Sequence, residues 1–253
     1  MDSVNKDFQS LLRNIDKVNV AQAIRSMVDF SELHGEAKCD ATLGCLAEFS
    51  AAQNQFKKVY HDYILNMEKV AVAEILAQPS PAKGSFSEMA TPEALIAYQR
   101  MAGVFAQFDL NQCRTFTMVG CGPLPVTALQ ALERSTQVKV VALDVSTSAI
   151  ASVNQLKRHY QLHRLEAQVY NGAEYHYGES DVIYVANMVS PKLATWHQIK
   201  LTARPSTIVI VREPYSMGRL WADSLESELG DTAVIAYRGP GSRYLSRDVI
   251  FKL

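Results

Sequence analysis

Two glycines separated by one residue, Gly120 and Gly122, follow the apolar run Thr115-Phe-Thr-Met-Val119. An acid, Asp144, ends a second apolar run, Lys139-Val-Val-Ala-Leu143, about 20 residues later. Glycine has no Cβ, so a ligand can approach the backbone closely at such a turn. A carboxylate at the end of the next strand can accept hydrogen bonds from both hydroxyls of a ribose. The pairing therefore predicts a nucleoside-ligand site. Dinucleotide loops read GxGxxG, but here the turn continues Pro123-Leu-Pro125. The two prolines remove N–H donors that a pyrophosphate would use. A ligand without phosphates, S-adenosylmethionine, fits this turn better than NAD or FAD does. A plain link from strand to helix is the alternative.

Three further strand ends carry polar residues, and ligands of open α/β sheets sit at the carboxyl edge. Asn171 is placed to hydrogen-bond an adenine and Asn187 to meet the tail of the ligand. Either asparagine serves equally well as a turn residue. Arg212 is placed to clamp a carboxylate in a bidentate pair, or to form an ion pair with Glu213 or another acid. Cys121, beside a helix N-terminus, reads as a small filler rather than as a nucleophile of lowered pKa. Tyr175-His-Tyr177 reads as surface packing. The six histidines show no metal-ligand spacing, so no metal is expected to be required.

The elements that must position these residues fall into two regions. Residues 1–110 read as helical. Phe8, Leu11, Leu12, Ile15 and Val18 share one face, and Ile24, Met27 and Val28 continue the spacing. Phe56, Val59, Tyr60, Tyr63, Ile64, Met67 and Val70 form a longer stripe within 55–78, before a loop at 79–87. A further helix begins at Thr91-Pro92-Glu93 with Thr91 as its cap, and it buries Leu95, Met101, Phe105 and Phe108. From Arg114 onward, short apolar runs recur at 115–119, 138–143, 166–170, 181–186, 206–212, 232–237 and 248–252. Most are separated by enough chain for a helix, which predicts a parallel sheet covered on both faces. The last two follow closely through Arg238-Gly-Pro-Gly-Ser, as an antiparallel hairpin would. The expected architecture is α/β. It consists of a Rossmann-like sheet of the SAM-dependent methyltransferase type (five parallel strands plus a terminal antiparallel hairpin) over 111–253, preceded by an all-helical domain over 1–110 that caps the active site.

Lys and Arg number 25 and Asp and Glu 26, so no overall field favours nucleic acid or a membrane surface. Residues 1–110 carry 10 basic and 14 acidic groups, leaving 15 and 12 for residues 111–253. The polar, acidic start is unlike a secretory signal, no apolar run approaches a membrane span, and four cysteines without CxxC spacing suit reduced thiols. The expectation is a cytoplasmic protein without nucleic-acid or membrane partners.

With the turn, the acid and the fifth strand in view, the chain resembles the nicotianamine synthase-like family, which includes bacterial enzymes that build opine metallophores from histidine. The resemblance rests on Gly120-Cys-Gly-Pro-Leu-Pro-Val-Thr127 and, more generically, on Leu143-Asp-Val-Ser-Thr-Ser-Ala149, Ser180–Val189, Ile208-Val-Ile-Val-Arg212 and Arg247-Asp-Val-Ile-Phe251. It covers residues 95–253. It implies transfer of the 3-amino-3-carboxypropyl (2-aminobutanoate) group of S-adenosylmethionine to the amine of an amino acid, histidine being the first choice, with release of methylthioadenosine. Gly120, Gly122, Pro123, Asp144, Asn171 and Asn187 would then hold S-adenosylmethionine, and Arg212 the substrate carboxylate. The family places a glutamate on the helix before the first strand. Counting back from the turn puts that position near Met101, which leaves Tyr98, Glu93 or Glu88 to stand in. A histidine after the fifth-strand arginine is matched by Tyr215. Tyr98 and Tyr215 are therefore the catalytic candidates. The resemblance leaves a homodimer open and implies a downstream opine dehydrogenase. A small-molecule methyltransferase, a binding protein without turnover, and a helical half that docks a partner are the competing readings.

Overall fold

The computed structural model describes residues 6–8, 10, 19–44, 49–79, 86, 92–229, 234–239 and 245–253. Among the described residues four helices precede the sheet: α1 (Val20–His34), α2 (Glu36–Gly44), α3 (Phe49–Ala77) and α4 (Pro92–Phe105). Seven strands then follow: β1 (Thr115–Val119), β2 (Lys139–Asp144), β3 (Leu165–Val169), β4 (Val182–Val185), β5 (Ile208–Pro214), β6 (Val234–Arg238) and β7 (Ser246–Lys252). The seven apolar runs of the sequence are these seven strands. Helices α5 (Val126–Arg134), α6 (Thr147–His159) and α7 (Lys192–Thr202) link the parallel strands.

The strands lie in the order β3-β2-β1-β4-β5-β7-β6. β1 to β5 run parallel, whereas β7 pairs antiparallel with both β5 and β6. This is the Rossmann-like order with a closing hairpin expected above. The chain runs outward from β1 to β3 and returns to place β4 on the other side of β1. A crevice therefore opens at the carboxyl ends of β1 and β4.

Local chemistry accounts for the elements that frame this crevice. Asn19 caps α1 by accepting the Gln22 amide at 2.9 Å, and Ser146 caps α6 by accepting that of Ala149 at 3.3 Å. The last turn of α6 carries Lys157, Arg158 and His159, favourable at the negative end of the helix dipole. The guanidinium of Arg164 donates to the carbonyls of Leu132, Ser135 and Val138 at 2.7–2.8 Å, which ties the end of α5 to the start of β2.

Two apolar layers sandwich the sheet. Phe116, Met118, Val140, Ala142, Val182, Tyr184 and Ile210 pack with Met101, Phe105, Ala128 and Leu132 of α4 and α5. Val141, Leu143, Ile183, Val185, Val209 and Val211 pack with Trp196 and Ile199 of α7. A third cluster joins the helical region to the loop after β5: Met27, Phe30, Cys39 and Tyr60 meet Met217, Leu220 and Trp221.

Several expectations need correction. Val59 and Val70 of the predicted stripe are 42% and 58% exposed, while Tyr60, Ala71, Val72 and Ile75 are buried, because α3 packs on α6 and the post-β5 loop with a rotated face. Leu95 is only partly buried, and Ala94 takes the inward position. Tyr177 is fully buried and donates from its hydroxyl to the Gly172 carbonyl at 2.7 Å, so it belongs to the core instead of the surface. Leu11, Leu12, Ile15, Val18, Cys45, Glu88, the cap Thr91 and most of the loop 79–87 lie outside the described residues. Among the described residues no helix is long and apolar enough to cross a membrane.

Candidate active site

A cavity of about 1100 Å³ lies over the carboxyl ends of β1, β2, β3 and β4, between them and α3. It exceeds the usual volume for one small ligand and has room for two. Gly120, Gly122, Pro123, Asp144, Asn171, Asn187 and Arg212 all line it.

The sheet side is a network of committed backbone groups. Gly120 and Gly122 have φ of 73° and 63°, the left-handed region that favours glycine. A Cβ on Gly120 would stand 2.6 Å from Val189 Cγ2. The amides of Gly120 and Cys121 donate to the Leu143 carbonyl at 2.9 and 3.0 Å, and that of Gly122 donates to Asp144 Oδ2 at 2.9 Å. Leu124 donates its amide to Glu68, while Pro123 and Pro125 have none to give. From Gly120 to Pro125, then, every backbone donor is spoken for or missing. The turn suits an adenosyl group without phosphates and does not form a pyrophosphate cradle. Asp144 Oδ1 accepts the Ser146 amide at 2.8 Å, so both carboxylate oxygens are oriented by backbone while the residue still borders the cavity. Val145 and Tyr170, 71% and 42% exposed, offer apolar faces on either side of it.

The asparagines divide. Asn171 forms a turn: its Oδ1 accepts the Ala173 amide at 3.0 Å and its Nδ2 donates to Glu174 at 3.1 Å. Asn187 borders the cavity, and its buried Oδ1 has no partner among the described residues.

The facing wall is α3, and it contributes the group that the sequence reading missed. Glu68 lies directly over the glycine turn, where a Cβ on Gly122 would collide with its carboxylate oxygen. Burial, reinforced by the negative charge of Asp144, pushes its carboxyl up to about 8. A group poised there takes a proton near neutral pH, as a general base must. Its sequence signal is an acid in the middle of an apolar face, at i+8 from Tyr60 and i+4 from Ile64.

Beneath the turn lies a cluster of charges. The guanidinium of Arg212, 5% exposed, donates to Asp248 Oδ2 at 2.9 Å, and Arg100 Nε approaches the same oxygen at 3.1 Å. Arg100 also donates to the Tyr184 hydroxyl at 3.3 Å, which in turn donates to Asp248 Oδ1 at 3.4 Å. Arg212 and Asp248 are register partners across β5 and β7, so pairing of the terminal hairpin builds the ion pair. Two guanidiniums share one carboxylate, and Arg100, Tyr184 and Arg212 all line the cavity. The cluster keeps one positive charge in excess, suited to a ligand carboxylate. Buried Lys192 donates to the Arg212 carbonyl at 3.0 Å and so steadies the strand from behind.

The two tyrosines named as catalytic candidates stand elsewhere. Tyr98 donates its hydroxyl to Glu133, with its carbonyl accepting from Gln130 at 2.8 Å, and it packs beside Phe86. It is not among the cavity-lining residues, because α4 turns this position toward α5. Tyr215 lies under the Arg247 guanidinium, 5.0 Å from its ring centre, on the side of α1 and α2 and away from the cavity. Met101, where the family glutamate was counted, is fully buried in the sheet core. The thiol of Cys121 is pushed well up by burial and by Asp144 and Glu68, as befits a filler. Among the described residues no group of three or more His, Cys, Asp or Glu is arranged to hold a metal.

No protein-family model matches this chain, and no curated protein matches it significantly. Solved structures do. A Glu→Gln mutant of MtNAS in complex with S-adenosylmethionine superposes with a TM-score of 0.76 at 14% identity, over 98% of this chain and 97% of that one. MtNAS in complex with MTA and tNA gives 0.70 at 16% identity, over 100% and 96%. A SAM-dependent methyltransferase from Aquifex aeolicus gives 0.50 at 15% identity, over 65% of this chain and 95% of that one. The chain thus shares its fold with the MtNAS structures over nearly its whole length and with the methyltransferase over a smaller part.

Proposed function

We propose that this chain, built throughout on the architecture of the MtNAS structures, transfers the 3-amino-3-carboxypropyl group of S-adenosylmethionine to the amino group of an amino acid, with methylthioadenosine as the second product. The observation that carries the reading is Glu68. It is a carboxyl kept basic by burial, seated on the glycine turn, inside a cavity large enough for a donor and an acceptor together. S-adenosylmethionine supplies a sulfonium that activates the tail carbon, the departing sulfur keeping the electron pair of the broken C–S bond.

The residues of the chain do the rest. Asp144 receives the ribose hydroxyls, and Val145 and Tyr170 cover the adenine. Asn187 Oδ1 accepts from the ammonium of the tail, which relieves its unpaired state. Arg212, assisted by Arg100, holds the carboxylate of the acceptor and so points its amine at the tail carbon. Glu68 takes the proton that the amine sheds as the new C–N bond forms. A cationic ligand beside Glu68 and Asp144 also lowers the Glu68 pKa from its ligand-free value toward the working range.

Histidine is the acceptor the family resemblance favours. The product would then belong to a nicotianamine-like opine metallophore, its metal bound after release, with an opine dehydrogenase as the next enzyme. A cytoplasmic, homodimeric protein that needs no metal for turnover completes the proposal. The test is incubation with S-adenosylmethionine and a panel of amino acids, followed by chromatography and mass spectrometry. Methylthioadenosine with an aminobutanoate adduct is expected. S-adenosylhomocysteine with a methyl adduct would instead favour a methyltransferase, the reading supported by the partial superposition on the Aquifex enzyme. Binding without consumption would leave a binding protein.

A further inference from the structure

We infer that Lys57 and Asp223 are positioning residues for the transfer: their ion pair fixes the helical wall that bears Glu68 against the strand that bears Arg212. The inference rests on the transfer reading above and goes beyond it by naming what sets the separation of its two key groups.

In that reading the acceptor is held by Arg212 of β5 and gives its proton to Glu68 of α3. The two groups stand on different elements, so the reacting amine is in line only while α3 keeps its place over the sheet. Helix α3 is fastened at both ends. Toward its C-terminus, Ala71, Val72 and Ile75 are buried with Leu129 of α5 and Leu156 of α6. Toward its N-terminus, one face meets the segment after β5 at successive turns. Gln53 Nε2 donates to the Arg219 carbonyl at 2.8 Å, Lys57 pairs with Asp223, and Tyr60 stacks on Trp221 with ring centres 5.2 Å apart. Met67 and Glu68 lie between the two ends and line the cavity.

The ion pair differs from the other two contacts because it leads on to Arg212. Asp223 gives Oδ1 to the Lys57 ammonium and Oδ2 to the Lys192 amide at 3.3 Å. Lys192, fully buried, donates from Nζ to the Arg212 carbonyl at 3.0 Å. One chain of polar contacts thus runs from α3 through Asp223 and the first residue of α7 to β5. Lys57 precedes Glu68 by 11 residues, about three helical turns. It therefore shares a face of α3 with Glu68 at about 16 Å and acts through the helix, not on the proton. Both side chains of the pair are about a fifth exposed, where an ion pair adds little to global stability. What it supplies is geometry.

The experiment compares wild type with Lys57→Met, Asp223→Asn, the double variant and Lys57→Arg. Transfer is followed by methylthioadenosine release with the amino-acid panel, and S-adenosylmethionine affinity by calorimetry. Hydrogen–deuterium exchange of the ligand-free proteins reads residues 60–70. Each of Lys57→Met and Asp223→Asn should lower kcat about tenfold and leave S-adenosylmethionine affinity within about twofold. Exchange at residues 60–70 should quicken about fivefold, while β1 and β4 keep their protection. The double variant should resemble either of these two, and Lys57→Arg the wild type, since the pair acts as one unit. Wild-type kcat in Lys57→Met and Asp223→Asn, or losses that multiply to about a hundredfold in the double variant, overturn the inference. So does a rise in exchange across the whole sheet, or a loss of S-adenosylmethionine affinity in step with rate, either of which marks general loosening of the fold. If the wild type transfers nothing to any amino acid, the transfer reading falls by itself. The exchange comparison then decides whether the pair fixes α3, and unchanged rates at residues 60–70 overturn it.

Discussion

The two walls of the cavity are built differently. On the sheet side, Gly120, Gly122, Asp144 and Ser146 sit within three residues of strand ends, and their polar groups are held by hydrogen bonds to or from the backbone. On the helical side, Lys57, Tyr60 and Glu68 project from one long helix, and their chemistry is set by what they meet across the gap. In the proposed reaction the sheet wall receives S-adenosylmethionine. The helical wall carries the groups that would separate one reaction from another, and one of them, Glu68, is tuned by burial. The proposed function thus divides binding and chemistry between the two walls.

The comparison breaks most sharply at Glu68. Glu68→Gln should lower kcat by roughly 100- to 10,000-fold, the usual contribution of a general base, while S-adenosylmethionine affinity stays within a few-fold by calorimetry. A loss of affinity equal to the loss of rate would make Glu68 part of the receptor and erase the division. Asp144→Ala should do the reverse. The affinity for S-adenosylmethionine falls by roughly 100-fold as the ribose loses a charged acceptor and the turn loses its tie to Gly122. An unchanged titration would refute the placement of the ribose.

Smaller effects sharpen the picture. Arg100→Gln removes the excess positive charge while leaving the Arg212–Asp248 pair, and should raise the KM of the acceptor by about tenfold with little change in kcat. The pH dependence follows from Glu68 being basic only when ionised. For the free enzyme, kcat/KM should climb with pH, pass half its maximum near 8 and level off above that, and this limb should vanish in Glu68→Gln. Stability runs the other way. The folded-state pKa is raised from 4.5 to about 8, so the folded form holds its proton where the unfolded chain has released it. The contribution of Glu68 is fully present below 4.5 and is lost as pH rises to 8, so the melting temperature of the ligand-free protein should fall over that window, less steeply in the variant. Tyr98→Phe should change kcat less than about twofold, since its hydroxyl serves Glu133, and should cost about 1 kcal/mol of stability by denaturant titration.

Much of the sheet wall was legible in the chain. The seven apolar runs are the seven strands, the glycine turn adopts the positive φ that its residues favour, and Asp144 ends β2 beside it. The helical wall was legible only as helix. Counting back along the chain led to Met101 and to Tyr98 because it assumed that the helix nearest in sequence supplies the acid. In the folded molecule α4 packs into the sheet core, and the earlier helix α3 crosses over the turn. Arg212 was recognised and given two roles. The register of β5 with β7 assigns it Asp248 as partner, and the spacing of the fifth strand alone carries no trace of that residue.

Local pattern therefore determined the element types, the parallel sheet with its closing hairpin and the strand-end residues that border the cavity, because alternation, turn chemistry and strand-end position act over a few residues. Only the tertiary structure decided that Glu68 meets Gly122, that Arg100 and Arg212 share Asp248, and that Trp221 stacks on Tyr60. Those encounters join residues tens of positions apart, and burial and mutual charge acquire their values only once the walls face each other.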